Sequence, residues 1–333
     1  MMEAQAGVAL CFPQLLNASC IKPTLPWTGA VLLNIVLSLV SLMTVSLNLL
    51  VIISVSHFRR LHTPTNNLLL SLAVSDFLVG LLLMPGEIFR KTSCWVLGDI
   101  MCSLYFYLSC NIGIASIGNI ILISVDRYVA ICDPLHYSTR VTVTRVKVCV
   151  CVCWLCAALY SCFYTKDVLI QPGRTKSCHG ECVLFSDHLA VTIDLFLSFI
   201  IPVTIIAFLY LRVFVVAASQ ARTMRSHVTA VSLQVSVTTK KSELKAARTL
   251  GVLVVVYLMC FCPFYCYTLA VDSVMNTSFA SFVLFLFYFN SCLNPLIYAL
   301  FYRWFRKAVK LIVTLLILQP GSCEANILYP VKM

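Results

Sequence analysis

Apolar and polar positions along the chain divide it into seven long apolar runs separated by short polar segments. The runs fall at roughly 29–56, 65–89, 99–131, 146–165, 188–217, 244–270 and 280–301. Each is close to or longer than the ~20 residues that an α-helix needs to cross a bilayer. They are continuous rather than alternating, so they predict helices and not a membrane-spanning barrel. The expected fold is an all-α membrane protein, a bundle of seven transmembrane helices followed by a short amphipathic eighth helix. This divides the chain into an extracellular N-terminus at 1–28, a bundle at 29–301, and a cytoplasmic amphipathic helix and tail at 302–333.

Composition agrees with this pattern. The 333 residues are 60% hydrophobic and only 11% charged, against ~25% charged in soluble domains. The opening "MMEAQAGVALCFPQLL" has no basic start and no clear cleavage site, so it does not read as a cleaved signal peptide. Basic residues set the orientation. One side of the membrane receives 18 of the 24 lysines and arginines, among them Arg59, Arg60, Arg140, Arg145, the dense 212–248 stretch and the tail from Arg303. That side is the cytoplasm, which puts the N-terminus outside at the plasma membrane. The net charge of +11 is mostly this asymmetry and a matching attraction to anionic lipid. It does not indicate a nucleic-acid partner. The sequons "NAS" at Asn17 and "NTS" at Asn276 both fall on the predicted outside.

Of the 18 cysteines, those within the spans read as small buried hydrophobes. Cys11, Cys20, Cys94, Cys102, Cys178 and Cys182 instead lie on the oxidising side, where disulfides persist. "SCHGEC" has the look of half a metal site, but no second ligand cluster accompanies it. Cys323 follows a basic amphipathic segment and is a candidate for palmitoylation.

Polar residues inside the apolar runs carry the candidate chemistry. In "TIDLFLSFIIP", Asp194 sits at hydrocarbon depth, where an acid costs ~2.5–3.5 kcal/mol on insertion scales. Asp76 lies in the second run, "DRY" (Asp126, Arg127, Tyr128) closes the third, "FCPF" puts Pro263 in the sixth, and "NSCLNPLIY" puts Pro295 and Tyr298 in the seventh. An interior proline removes a hydrogen bond and kinks the helix. Asp76, Ser116, Asn290, Ser291 and Asn294 could hold a sodium ion, or form a hydrogen-bonded network without one. Arg127 could reach Glu243 at the cytoplasmic start of the sixth run and bridge two helices. Enzyme signatures are absent: there is no nucleotide loop, no catalytic metal pair and no nucleophile elbow.

These motifs, in this order, resemble a rhodopsin-like G-protein-coupled receptor over about 28–310. Asn48, Asp76, Cys102, "DRY", Trp154, Pro202, Pro263 and "NPLIY" each match a family landmark in the expected span. More narrowly, "NSCLNPLIYALFYRWF" at 290–305 fits the fingerprint of trace amine-associated receptors, and "CHGEC" is similar to that family's second outer loop. The resemblance implies disulfides Cys102–Cys182 and Cys20–Cys178, an amine ligand, and signalling through a stimulatory, olfactory-type G protein to cAMP.

The chain departs from that family at two points. Amine receptors carry an aspartate 18 residues before the DRY arginine, five helical turns toward the outside. That position here is Ser109. Asp194, eight residues before Pro202, resembles the placement in a group of fish trace amine-associated receptors that carry the acid on the fifth helix. The amine is then expected reversed in the pocket, with Ser198 orienting the carboxylate or touching the ligand. Glu87 lies eleven residues after Asp76 on the same face, where it suits either a diamine's second ammonium or a rim pair with Arg90 or Lys91. Phe261, Phe264, Tyr265 and Thr268 recur on one face of the sixth run, and Tyr288 lies two turns outward of Pro295. They line the expected pocket or simply pack the core. Phe261 also replaces the tryptophan usual in "CWxP". A receptor for a non-amine ligand remains an alternative reading, as does a transporter, against which the lack of an internal repeat argues.

Overall fold

The computed structural model describes residues 10–15, 18–21, 27–171, 178–184, 188–227, 251–252, 254–269 and 277–324. All regular structure there is helical apart from two isolated bridges. Among the described residues six helices are long and apolar enough to cross a membrane, and a seventh apolar helix covers Val254–Leu269. In chain order they are α1 (Trp27–His57), α2 (Pro64–Thr92), α3 (Gly98–Cys132), α4 (Val143–Tyr164), α5 (His188–His227), α6 (Val254–Leu269) and α7 (Thr277–Phe301). The amphipathic α8 (Arg303–Val313) follows. Asn17, Glu243 and Asn276 lie outside the described residues.

Sequence chemistry marks the helix ends. Thr63 and Thr142 each accept a hydrogen bond from a backbone N–H three residues on, capping α2 and α4. In α8, Trp304, Phe305 and Ala308 are buried against the bundle. Arg306 donates to the carbonyls of Ala299 (2.7 Å) and Leu300 (3.0 Å) at the C-terminus of α7. A cation there meets both the unpaired carbonyls and the negative end of the helix dipole.

The spans are not uniform α-helix. α2 widens into a π turn at Val79–Leu83 and α5 does so at Phe196–Ile200. Each π turn ends two residues before a proline, Pro85 and Pro202. A proline ring clashes with the carbonyl four residues earlier and cannot bond to it. Those carbonyls belong to Leu81 and Ser198, both within the π turns. An extra residue in the turn relieves the clash, and such bulges recur at functional sites.

α3 runs through the middle and packs against α2, α4 and α5, while α1 packs against α2 and α7. The largest core cluster joins Val51, Leu69, Leu72, Ile120, Tyr257 and Tyr298. Leu42, Leu159, Leu211 and Leu300 stand exposed on outward faces, where lipid rather than water is their solvent.

Three disulfides tie the outer face. Cys102 of α3 is bonded to Cys182, Cys20 to Cys178, and Cys11 to Cys94. The Cys11–Cys94 pairing goes beyond what the motif resemblance implied. Both cysteines of "SCHGEC" are thus oxidised and not thiolate ligands. Backbone bonds align the same strands of chain: Cys20 N donates to His179 O (2.9 Å), and Trp95 N to Gly180 O (2.9 Å). Gly180 sits at φ +104°, and a Cβ there would lie 2.7 Å from Cys11 Cβ. Only glycine fits both the backbone angle and the approach. Gly180→Ala is therefore expected to cost about 1–3 kcal/mol, read as a lower thermal midpoint and reduced surface display. An unchanged midpoint would show that the N-terminal segment does not pack on this loop.

Candidate functional site

Asp194 is half-buried on α5, directly before the π turn. Tyr160 of α4 donates to its Oδ1 at 2.7 Å, and Ser198 Oγ donates to the same oxygen at 2.5 Å. Among the described residues Oδ2 has no hydrogen bond and no cation pairs with the carboxylate. Tyr265 of α6 lies against Ser198, near the carboxylate, and Cys110 of α3 is within its electrostatic reach. Tyr265 stacks on Phe199 with ring centroids 4.6 Å apart. The wall continues through Phe264 to Phe287 of α7 at 4.9 Å, and from Phe287 to Phe261 at 4.4 Å. This is a carboxyl with one oxygen open near an aromatic wall, and aromatic faces attract cations. Thr268 spends its hydroxyl on the Tyr265 carbonyl of its own helix (2.9 Å).

A second group of polar residues forms between α2, α3 and α7. Glu87 accepts both Arg90 Nε (2.9 Å) and Arg90 Nη2 (2.7 Å) in a forked pair, and Tyr105 donates to Glu87 at 3.0 Å. Arg90 Nη1 reaches the Cys182 carbonyl (3.1 Å), joining α2 to the disulfide-held outer loop. Both charges are mostly buried, so the rim carboxylate is paired with Arg90 rather than hydrated. Tyr288 and Ser109 lie in the same cluster.

Deeper in the bundle, Asn294 Nδ2 donates to Asp76 Oδ2 at 2.8 Å and lies 3.4 Å from Asn290 Oδ1. Asn48 Nδ2 donates to the carbonyls of Thr44 (2.9 Å) and Ser291 (3.0 Å), which fixes α7 against α1. Ser116 Oγ and Tyr298 OH are buried without a hydrogen bond among the described residues. The Ser291 hydroxyl also lies against the Asp76 carboxyl, and an acid held only by neutral groups suits a small hard cation. Asp76 and Ser291 would hold it.

At the cytoplasmic end, Asp126 accepts from Tyr137 (2.8 Å), from Thr65 (2.9 Å) and from Arg127 Nη2 (2.5 Å). Arg127 also bonds Thr65. The arginine is thus held by its own neighbour, by α2 and by the short helix Pro134–Arg140. Burial, then the nearby Asp126 carboxylate, pushes the Tyr137 hydroxyl above its usual range, so it remains a donor. In the same exposed loop His136 and then Arg140 hold the Asp133 carboxyl below its usual range. Tyr128 packs beside Ile131 and Val213, where α3 meets α5. Pro263 and Pro295 both lie inside helix, in α6 and α7.

Sequence reasoning located the acids but missed several partners. Tyr160, Tyr105, Thr65 and Tyr137 come from other helices or loops, 34, 18, 61 and 11 residues from the carboxylates they serve. No local pattern signals them.

The chain matches the 7 transmembrane receptor (rhodopsin family) over residues 47–298 and belongs to that family. Among its relatives, trace amine-associated receptor 13c of Danio rerio is 38% identical over 327 residues, covering 95% of both chains. Trace amine-associated receptor 5 of Rattus norvegicus is 39% identical over 98% of this chain and 97% of its own. Trace amine-associated receptor 9 of Mus musculus is 38% identical over 96% and 94%. The protein is therefore a G-protein-coupled receptor related to the trace amine receptors, a multi-pass protein of the plasma membrane, and not an enzyme.

A bound sodium ion would stabilise the folded state by mass action. The thermal midpoint of purified receptor is expected to rise in sodium chloride relative to choline chloride, and the rise to vanish in Asp76→Asn. Equal midpoints in both salts would leave a hydrogen-bonded network without an ion.

Proposed function

We propose that this receptor responds to external small amines, binds the ligand ammonium through Asp194, and signals through a stimulatory, olfactory-type G protein to cAMP. The observation that carries the proposal is the half-satisfied carboxylate. Tyr160 and Ser198 hold one oxygen of Asp194 and leave the other open beside Tyr265, in a chain whose α3 offers Ser109 and no acid at the usual place. A desolvated ammonium–carboxylate contact is charge-assisted and stronger than a neutral hydrogen bond. The relation to trace amine receptors supports the ligand class, and the fifth-helix acid supports a reversed amine. On this reading the segment 1–28 is extracellular, 29–301 binds and switches, and 302–333 lies on the cytoplasmic leaflet. Agonist stabilises the bundle state in which the cytoplasmic face is open. Arg127 then leaves its contacts, including any to Glu243, α6 swings about Pro263, and the freed surface meets the G protein. Asn17 and Asn276 are the proposed glycan sites.

One observation favours a rival reading. The Tyr160–Asp194 bond ties α4 to α5, so Asp194 could serve structure alone. Cells expressing the chain, challenged with alkyl, aromatic and diamines, separate the two. Asp194→Ala is expected to lower potency at least about tenfold at normal surface level, since a hydrogen bond to a charged group contributes ~1.5–3 kcal/mol. Asp194→Glu should keep part of the response, and Tyr160→Phe most of it. Loss of surface display in both Asp194→Ala and Tyr160→Phe, with unchanged potency in the receptors that remain, would make Asp194 structural.

A further inference from the structure

The group at α2, α3 and α7 is a second polar centre, and its charge state bears on the ligand's far end. Ser109 and Cys110 are consecutive on α3, so their side chains diverge by about 100°. Cys110 is within electrostatic reach of Asp194, and Ser109 lies against the Tyr288 hydroxyl. The two centres therefore flank one edge of α3, and an elongated ligand passing across it can touch both.

The second centre holds one acid and one base, and they neutralise each other. Glu87 has both oxygens in the Arg90 fork, with Tyr105 as a third donor. Arg90 spends its remaining Nη1 on the Cys182 carbonyl. Their side chains are 13% and 17% exposed, so water screens the pair little. An incoming ammonium would have to displace Arg90 from a bidentate contact and leave a buried guanidinium unpaired. An incoming carboxylate would have to do the same to Glu87. What the centre does offer is Ser109 Oγ, buried and without a hydrogen bond of ordinary geometry among the described residues, next to the Tyr288 hydroxyl. A hydroxyl both donates and accepts, so it complements an uncharged polar group.

We propose that this centre receives an uncharged hydrogen-bonding group at the ligand's distal end, so that the receptor prefers amino alcohols to diamines of the same length. The inference rests on Asp194 as the ammonium partner. Ser109 and Tyr288 are then ligand contacts. Glu87 and Arg90 act as specificity residues by excluding a second charge.

The test uses the full chain in cells, with surface level quantified and cAMP as the readout. Three matched series of three to eight carbons are compared: n-alkylamines, α,ω-diamines and ω-amino alcohols. At the best length the amino alcohol is expected to exceed the alkylamine in potency by roughly threefold to tenfold, the yield of one added hydrogen bond. It should exceed the diamine by at least about tenfold. Ser109→Ala should erase the amino alcohol's advantage over the alkylamine. Arg90→Gln, which leaves Glu87 without its counter-charge, should raise diamine potency relative to alkylamine. Wild-type preference for diamines, or an amino-alcohol advantage that survives Ser109→Ala, overturns the inference while an Asp194-dependent alkylamine response keeps the amine reading intact. Silence of the whole panel at normal surface level overturns both.

Discussion

A carboxylate among apolar helices persists only where a counter-charge or a set of donors reaches it, and four acids inside this bundle meet that constraint in two ways. Glu87 and Asp126 each pair with an arginine close in sequence, Arg90 and Arg127, and add tyrosine or threonine hydroxyls. Asp76 and Asp194 have neutral donors only: Asn294 and Ser291 for the first, Tyr160 and Ser198 for the second. Neutral donors stabilise the anion without cancelling it. The first pair therefore lock structure, at the outer mouth and at the cytoplasmic end. On the proposed reading, the second pair leave their charge to a mobile cation. Depth and surroundings then separate them. On that reading Asp76, held by Asn294 and Ser291, suits a bare metal ion, while Asp194, near Tyr160 and Tyr265, suits an organic one.

The positions of the helix breaks follow from the same chain. Pro85 and Pro202 each follow a widened turn, and the two π turns adjoin the parts of α2 and α5 from which Glu87 and Asp194 project. Ser198 lies within the second of these turns and still reaches Asp194 Oδ1. Ser198 thus solvates the acid from within the widened turn. The cysteine bridges do the equivalent work outside the membrane. Cys11–Cys94, Cys20–Cys178 and Cys102–Cys182 join the N-terminal segment, the α2–α3 connection and the outer loop into one lid over the bundle.

The helical spans, the fold and the receptor family were readable from apolar run length and from motifs such as "DRY" and "NPLIY", because a bilayer demands continuous helices and leaves little freedom in their lengths. The intramembrane acids were readable too, since one charge in an apolar run is conspicuous. Their partners were not. Tyr160 looks like any aromatic in α4 until the packing turns it toward Asp194, and Arg90 was one of two candidates for Glu87. The π turns were missed because a proline signals a break but not whether the helix kinks or widens. Cys11–Cys94 was missed because six outer cysteines fix no pairing.

Moving the acid from α3 to α5 changes which element the ligand acts on. At the Ser109 position, five turns along α3 from Arg127, an anchored ammonium would act first on the helix that carries the arginine. On the proposed reading it would act on α5, whose upper half contains the π turn and whose lower half packs Val213 against Ile131 and Tyr128 of α3. A ligand shifts a two-state bundle only through its differential contact with the two states. On the amine reading, the element that must differ between states near the ammonium is therefore α5, and its π turn is the one stretch there with an alternative hydrogen-bond register. Closure of that turn would rotate the residues below it relative to Asp194. The contact surface so displaced is the one α5 shares with the cytoplasmic end of α3.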